Sequence, residues 1–220
     1  MSQIASSLTE NASAPVRKGE LTAARILDAA ESLFAERGYA GTSLRDVAGA
    51  AGLRIPSLYN HFESKELLYA AVLDRGVDPV LDILNGFLAA QVDERPEHAD
   101  VIGQVMALLE RHPNLPALLL QETQTGGRRL TPVLRRRLAP LFGRAFETVR
   151  AADDAGHFEP EEIPLFVLAL YHVIVGFHSI APFYHEVSGD DLSTPESRAR
   201  QTHFLTRLVE ALFDYEPVRS

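Results

Sequence analysis

Residues 163–183 (IPLFVLALYHVIVGFHSIAPF) form an apolar run that no helix lying on a protein surface can carry. A run of this kind either spans a bilayer or lies under cover on every side. It fails as a membrane span on its content. His172 and His178 lie inside it, Pro164 and Pro182 bracket it, and Glu161, Glu162 and Glu186 stand where a juxtamembrane basic cluster belongs. The expectation is therefore a protein without a membrane partner, in which this helix is covered by other helices. Phe166, Leu170, Val173 and Phe177 fall on one face, and Leu165, Leu168, His172, Val175 and Ser179 on another. A single subunit buries one such face. The second is covered either by a partner, which makes a homodimer, or by further helices that enclose it within one chain.

The rest of the 220-residue chain is helical in pattern, with apolar residues three and four apart and few β-branched alternations. Gly and Pro punctuation, from Gly38 through Gly52, Gly76, Pro96, Pro113, Gly126, Gly127 and Gly156 to Gly189, divides it into about nine or ten helices. The fold class read from this is all-α. Residues 1–19 are rich in Ser, Ala and Asn and lack a signal-peptide core, so they read as a flexible arm and the protein as cytoplasmic. Zero cysteines exclude disulfides, thiolate metal sites and a cysteine nucleophile.

The chemistry concentrates between residues 22 and 66. Thr22 stands as an N-cap, with Leu21 and Ile26 at hydrophobic-staple positions, and Ile26, Ala30, Leu33 and Phe34 form one face of a helix that stops at Gly38. Thr42 or Ser43 caps a short second helix with Leu44, Val47, Ala48 and Ala51 inward, ending at Gly52, which accepts the left-handed conformation of a tight turn. A third helix starts at once, because Pro56 is tolerated only in a first turn. Two short helices joined by a Gly-containing turn make a helix-turn-helix. With Leu58 and Phe62 inward, the outer face carries Pro56, Ser57 and Asn60, flanked by Ile55, Tyr59 and His61. This face suits a DNA groove: Asn60 can pair with an adenine edge, Ser57 with several bases, and Ile55 or Pro56 with a thymine methyl. Arg54, Tyr59, His61 and Lys65 suit phosphates, as do free N–H groups at the helix starts near Ser43 and Ser64.

Residues 25–72 (RILDAAESLFAERGYAGTSLRDVAGAAGLRIPSLYNHFESKELLYAAV) resemble the DNA-binding domain of the TetR family of bacterial transcriptional repressors. The resemblance rests on the RGY that ends the first helix, Thr42-Ser43, Asp46-Val47-Ala48, Ala51-Gly52-Leu53, Ser57-Leu58-Tyr59, His61-Phe62 and Ser64-Lys65-Glu66. It covers about a quarter of the chain. It implies a helix-turn-helix domain over residues 20–66 and a ligand-binding and dimerisation domain over residues 67–220. It also implies that Ser43 and Arg45 lie near the DNA backbone, that Arg54, Ile55, Pro56, Ser57, Tyr59 and Asn60 lie in or beside the major groove, and that Lys65 clamps a phosphate. Arg54 departs from the family, which usually has a small capping residue there. The third helix is accordingly expected to lack a side-chain cap, leaving Arg54 for a base or a phosphate.

Beyond residue 64 a long helix leads away from the reader, the one that transmits ligand binding in the family. Helical patterns then cover residues 78–91, 97–111, 115–123, 131–155, 161–184 and 194–213. The resemblance further implies double-stranded operator DNA as partner, a homodimer joined through a four-helix interface, and a small-molecule inducer. For the inducer, an apolar or aromatic molecule, the candidate pocket residues are Met106, Leu109, Leu119, Glu122, Phe142, Phe146, Phe166, Tyr171, His172 and Phe177, with Gln121 and His178 as further polar groups. No cofactor or metal is expected, since His172, His178 and His185 are not spaced as a helical metal pair. Arg128, Arg129, Arg135, Arg136 and Arg137 read as a solvated surface or as salt-bridge partners, with an anionic ligand or DNA as the alternative.

Two other classes remain beside the repressor. An enzyme in the helical domain finds no HExxH, nucleophile elbow or phosphate loop to support it. A helical adaptor that ignores DNA is the other. Charge sharpens the choice. The net charge is −9, yet residues 1–75 hold 8 basic and 9 acidic side chains, so the acidity lies beyond the reader. Binding should then depend on a few placed cations, chiefly Arg45, Arg54 and Lys65, with low non-specific affinity.

Overall fold

The computed structural model describes residues 18–90, 97–128, 132–152, 159, 161–192 and 194–213. Most of the expected arm, including Arg17, lies outside these residues, as do Gln91, Pro96, Arg129, Thr131, residues 153–156 and the side chain of Arg137. Nine helices are present among the described residues: α1 (Lys18–Gly41), α2 (Leu44–Ala50), α3 (Ile55–Tyr59), α4 (Lys65–Ala89), α5 (His98–Arg111), α6 (Leu115–Gln124), α7 (Pro132–Ala152), α8 (Ile163–Ser188) and α9 (Pro195–Phe213).

Helix α1 begins a turn earlier than expected. Thr22 is not its cap; its hydroxyl donates to the Lys18 carbonyl 2.9 Å away, inside the helix. Glu20 in the first turn complements the helix dipole there. Ile26, Ala30 and Phe34 are fully buried, as the apolar face required. The helical path breaks at Gly38 (φ 72°, ψ 168°), a conformation open to glycine and costly for any other residue. Buried Thr42 covers the break, with its hydroxyl 3.0 Å from both the Leu33 and Gly38 carbonyls.

Helix α4 corrects a second expectation. Gly76 does not end it, and residues 78–89 are no separate helix; α4 runs through both Gly76 and Pro79. The reason is tertiary. Tyr69, Leu73, Val77 and Leu81 continue one buried face past both residues, and that burial outweighs the backbone bond that Pro79 cannot make. Gly76 serves close approach instead: a Cβ there would stand 2.8 Å from Leu115 Cδ1 on α6. The boundary expected between residues 66 and 67 falls in the first turn of α4.

One core joins the reader to the body, combining Ile26, Phe34, Val47 and Leu58 with Leu68, Leu73, Leu109, Leu118 and Leu141. A second, smaller core lies between α5 and α9, where Ile102, Met106, Leu205 and Val209 meet Leu170, Val173 and Phe177 of α8. Ile174 touches both. Polar bonds cross the same boundary. Arg75 of α4 bonds Asp28 and Glu31 of α1 at 2.6 Å each, and Gln121 of α6 donates to the Ala35 carbonyl at 3.1 Å.

Helix α8 passes through Pro182, which therefore does not bracket it, and ends at Ser188. There Gly189, at φ 77°, donates its N–H to the His185 carbonyl. Val175, grouped on one face with Leu165, Leu168, His172 and Ser179, is buried, whereas Leu165, Leu168 and His172 of that face are exposed. Leu165, Leu168, Ile180, Phe183 and Val187 remain exposed on a single chain. By length and composition alone, the stretch Pro164–Ser188 is apolar enough to cross a membrane, and 11% of its most apolar window is buried.

Candidate nucleic-acid interface

The short helix α2 is set by its cap. Asp46 N–H donates to Ser43 Oγ at 3.2 Å, while Ser43 N–H returns the bond to Asp46 Oδ2 at 3.0 Å. This reciprocal capping box satisfies donors that a two-turn helix otherwise leaves bare. The Ser43 hydroxyl also lies 2.6 Å from Asp46 Oδ2. These bonds, the side-chain one first, hold the Asp46 carboxyl below its ordinary pKa. At the far end Gly52 turns the chain at φ 65°, Leu53 N–H reaches the Ala48 carbonyl at 2.8 Å, and Arg25 of α1 donates to the Ala51 carbonyl. Arg25 thus ties the turn to α1. It carries a role that periodicity could not indicate, because its partner lies 26 residues away.

Helix α3 has Arg54 at its N-cap with no side-chain cap bond, and Pro56 in its first turn. Leu58 is fully buried and anchors the helix. Arg45, Arg54, Pro56, Tyr59, Asn60 and His61 are exposed; Ile55, Ser57 and Lys65 are half-buried. A cleft of about 530 Å³ opens between the start of α2, α3 and the start of α4, and Ser43, Arg45, Ile55, Tyr59 and Lys65 line it together with Thr42 and Leu44. Five of the ten residues expected at the interface therefore share one cleft. Arg54, Pro56, Ser57, Asn60 and His61 do not line it.

Lys65 is held from behind by an aromatic residue, Tyr39. Its ammonium lies 4.2 Å from the centre of the Tyr39 ring, within cation–π range. The Tyr39 hydroxyl donates to Glu66 Oε1 at 2.7 Å and keeps that carboxyl below its ordinary pKa. Tyr39 is the last residue of the RGY signature. The signature gave its position and no hint of this contact.

The residues named for an inducer are dispersed. Met106 and Phe177 belong to the smaller core, and Leu109 and Leu119 to the larger one. Glu122 is buried and accepts a bond from the Tyr69 hydroxyl at 2.9 Å. Phe142 and Phe146 lie side by side on α7, 6.3 Å between ring centres. Phe166 is buried. Tyr171 is half-buried, which pushes its hydroxyl pKa up. His172 is exposed, with Nδ1 2.8 Å from the Leu168 carbonyl and its ring edge-on to Tyr171. His178 is half-buried, and burial pushes its pKa down. Neither the cleft above nor a second one beside Gln124, Thr125, Gly126 and Arg128 is lined by these residues.

The sequence pattern of the bacterial regulatory proteins of the tetR family matches residues 26–72, from α1 into α4. Residues 26–72 are a TetR-family DNA-binding segment. The repressor KstR2 of Rhodococcus jostii is similar to this chain, 41% identical over 70 residues, which are 32% of this chain and 34% of that protein. The repressor Rv3405c of Mycobacterium tuberculosis is 34% identical over 120 residues, 50% of this chain and 63% of its own. The chain thus matches between a third and two thirds of the length of these curated relatives. Among solved structures, AmtR of Mycobacterium smegmatis superposes with a TM-score of 0.59 at 26% identity, over 93% of this chain and 91% of that one. The likeness to AmtR extends through the helices that follow the reader. Each of the two curated relatives is named as a transcriptional repressor.

Proposed function

We propose that this chain is a homodimeric TetR-family transcriptional repressor in the cytoplasm that reads a palindromic operator and is released by a small molecule. One observation carries the reading. Two short helices are locked by Gly52, Arg25 and the Ser43–Asp46 box, while polar and basic side chains stand free along their outer side. Nothing in the packing of the core needs Asn60, Arg54 or His61 where they are. Residues 20–66 form the reading domain, with Ser43, Arg45, His61 and Lys65 on phosphates and Arg54 to Ser57, Tyr59 and Asn60 toward the groove. Residues 67–220 form the ligand-binding and dimerising domain.

The exposed apolar side of α8 supports the dimer, because a helix this apolar needs cover. A two-fold protein places two α3 helices in successive major grooves about one helical turn apart. An apolar or aromatic inducer held among α5, α7 and α8 changes their separation and lowers affinity. The decisive experiment selects duplexes from a random pool with the purified protein. An inverted repeat should emerge, bound with a salt slope reflecting few phosphates per half-site. Asn60→Ala should relax selectivity at one base pair of each half-site, and Lys65→Gln should weaken all sequences alike. A pool that stays random after selection removes the proposal.

A further inference from the structure

A chain of four side chains runs from α6 to the edge of the interface. Glu122 of α6 is 2% exposed, and its Oε1 accepts the Tyr69 hydroxyl at 2.9 Å. Tyr69 of α4 is 1% exposed, and its ring meets the Tyr39 ring edge-on at 5.0 Å. Tyr39 in turn lies under the Lys65 ammonium at 4.2 Å. Phe34 closes the stack, edge-on to Tyr69 at 4.9 Å and parallel to Tyr39 at 6.0 Å. The interior here is dense, so a ring has few alternative positions. A buried carboxylate without its donor is costly, which fixes the Tyr69 hydroxyl in turn. Displacing α6 therefore moves Tyr69, and Tyr69 cannot shift without disturbing the ring on which Lys65 rests.

We infer that Glu122 is a positioning residue for Lys65, acting through Tyr69 and Tyr39, so that α6 sets the phosphate grip of the reading domain. This rests on the reading of Lys65 as a phosphate contact. It gives Glu122 a role other than that of a ligand anchor.

The sequence makes a direct test available, because Lys18 and Lys65 are its two lysines. Reductive ¹³C-methylation keeps their charge and labels these two amines and the α-amine, whose lower pKa sets its signal apart, leaving Lys18 as internal reference and Lys65 as reporter by NMR. The Lys65 methyl signal should be displaced upfield of Lys18 by the Tyr39 ring current. Tyr69→Phe and Glu122→Leu should reduce that displacement by about half or more, whereas Glu122→Gln, which keeps an acceptor oxygen, should retain it. Binding to a duplex selected by the wild-type protein is the second measurement. Tyr69→Phe should weaken it about three- to tenfold, Lys65→Gln about tenfold, and the double variant no more than Lys65→Gln alone. Should Glu122→Leu fail to fold, Tyr69→Phe and Glu122→Gln still decide the matter. Unchanged Lys65 shifts, or fully additive losses in the double variant, overturn the coupling. A wild-type protein that selects no duplex overturns the DNA-binding reading instead.

Discussion

Ser43 and Asp46 illustrate how much of the interface depends on single residues. Helix α2 has seven residues, too few to persist without its cap and its packing. Removing the Ser43 hydroxyl should cost about 1 kcal/mol in stability and more in DNA binding, because the same residue lines the cleft. The Asp46 carboxyl adds a pH signature. Its folded-state pKa is depressed, so its contribution is complete above the unfolded carboxylate pKa of about 4 and is lost as pH falls through the lower folded value. Thermal midpoints of the wild type and Asp46→Ala should therefore differ at pH 7 and pH 5 and converge as pH falls through the depressed folded-state value. A gap that widened in acid would contradict the assignment. At this scale the reading domain was legible in the sequence, since Ser43, Gly52, Leu58 and the uncapped Arg54 act through neighbours a few residues away. Tyr39 under Lys65 and Tyr69 on Glu122 were not legible. Their partners are 26 and 53 residues distant, and no local spacing encodes such a meeting.

At the scale of elements, α4 and α1 are joined by a grip with an identifiable cost. Arg75 reaches Asp28 and Glu31, and Glu31 is 7% exposed, with His112 Nδ1 a further 3.9 Å away. The solvated Arg75–Asp28 bond contributes little, whereas a buried Glu31 without its guanidinium is expensive. Arg75→Leu should therefore destabilise the protein by about 3 kcal/mol. Adding Glu31→Leu should recover most of that loss, since the stranded charge is gone. Urea unfolding of the two single variants and the double variant measures this, and equal losses in Arg75→Leu and the double variant would show that packing, not charge, holds the pair. The misread ends of α4 and α8 belong to this scale too. Gly76, Pro79 and Pro182 are local stop signals that the helices run through; at the first two, packing that local rules do not see overrides the signal, whereas the turns after Pro182 are exposed on the single chain. At Gly76 it is the approach of Leu115, and at Pro79 a buried face that continues to Leu81.

For the whole molecule, the feature that constrains assembly is still the apolar side of α8. Leu165 is 63% exposed, Phe183 66% and Val187 71%. Each buried side chain of this size contributes about 1.5–3 kcal/mol, so covering several from each subunit exceeds what association costs in lost freedom. The inner side of the same helix is already occupied by the smaller core, which means a charge on the outer side should break assembly without emptying the subunit. The wild type should sediment at twice the mass of one chain, and Phe183→Glu with Val187→Glu as a single chain. The variant should keep its far-ultraviolet helical signal. Its affinity for the selected inverted repeat should fall to that of a lone half-site, because the two reading heads then bind independently. The same variant tests the alternative cover for α8, since a helix that required a bilayer would leave the wild type aggregated in the absence of detergent, with no discrete two-chain species to lose.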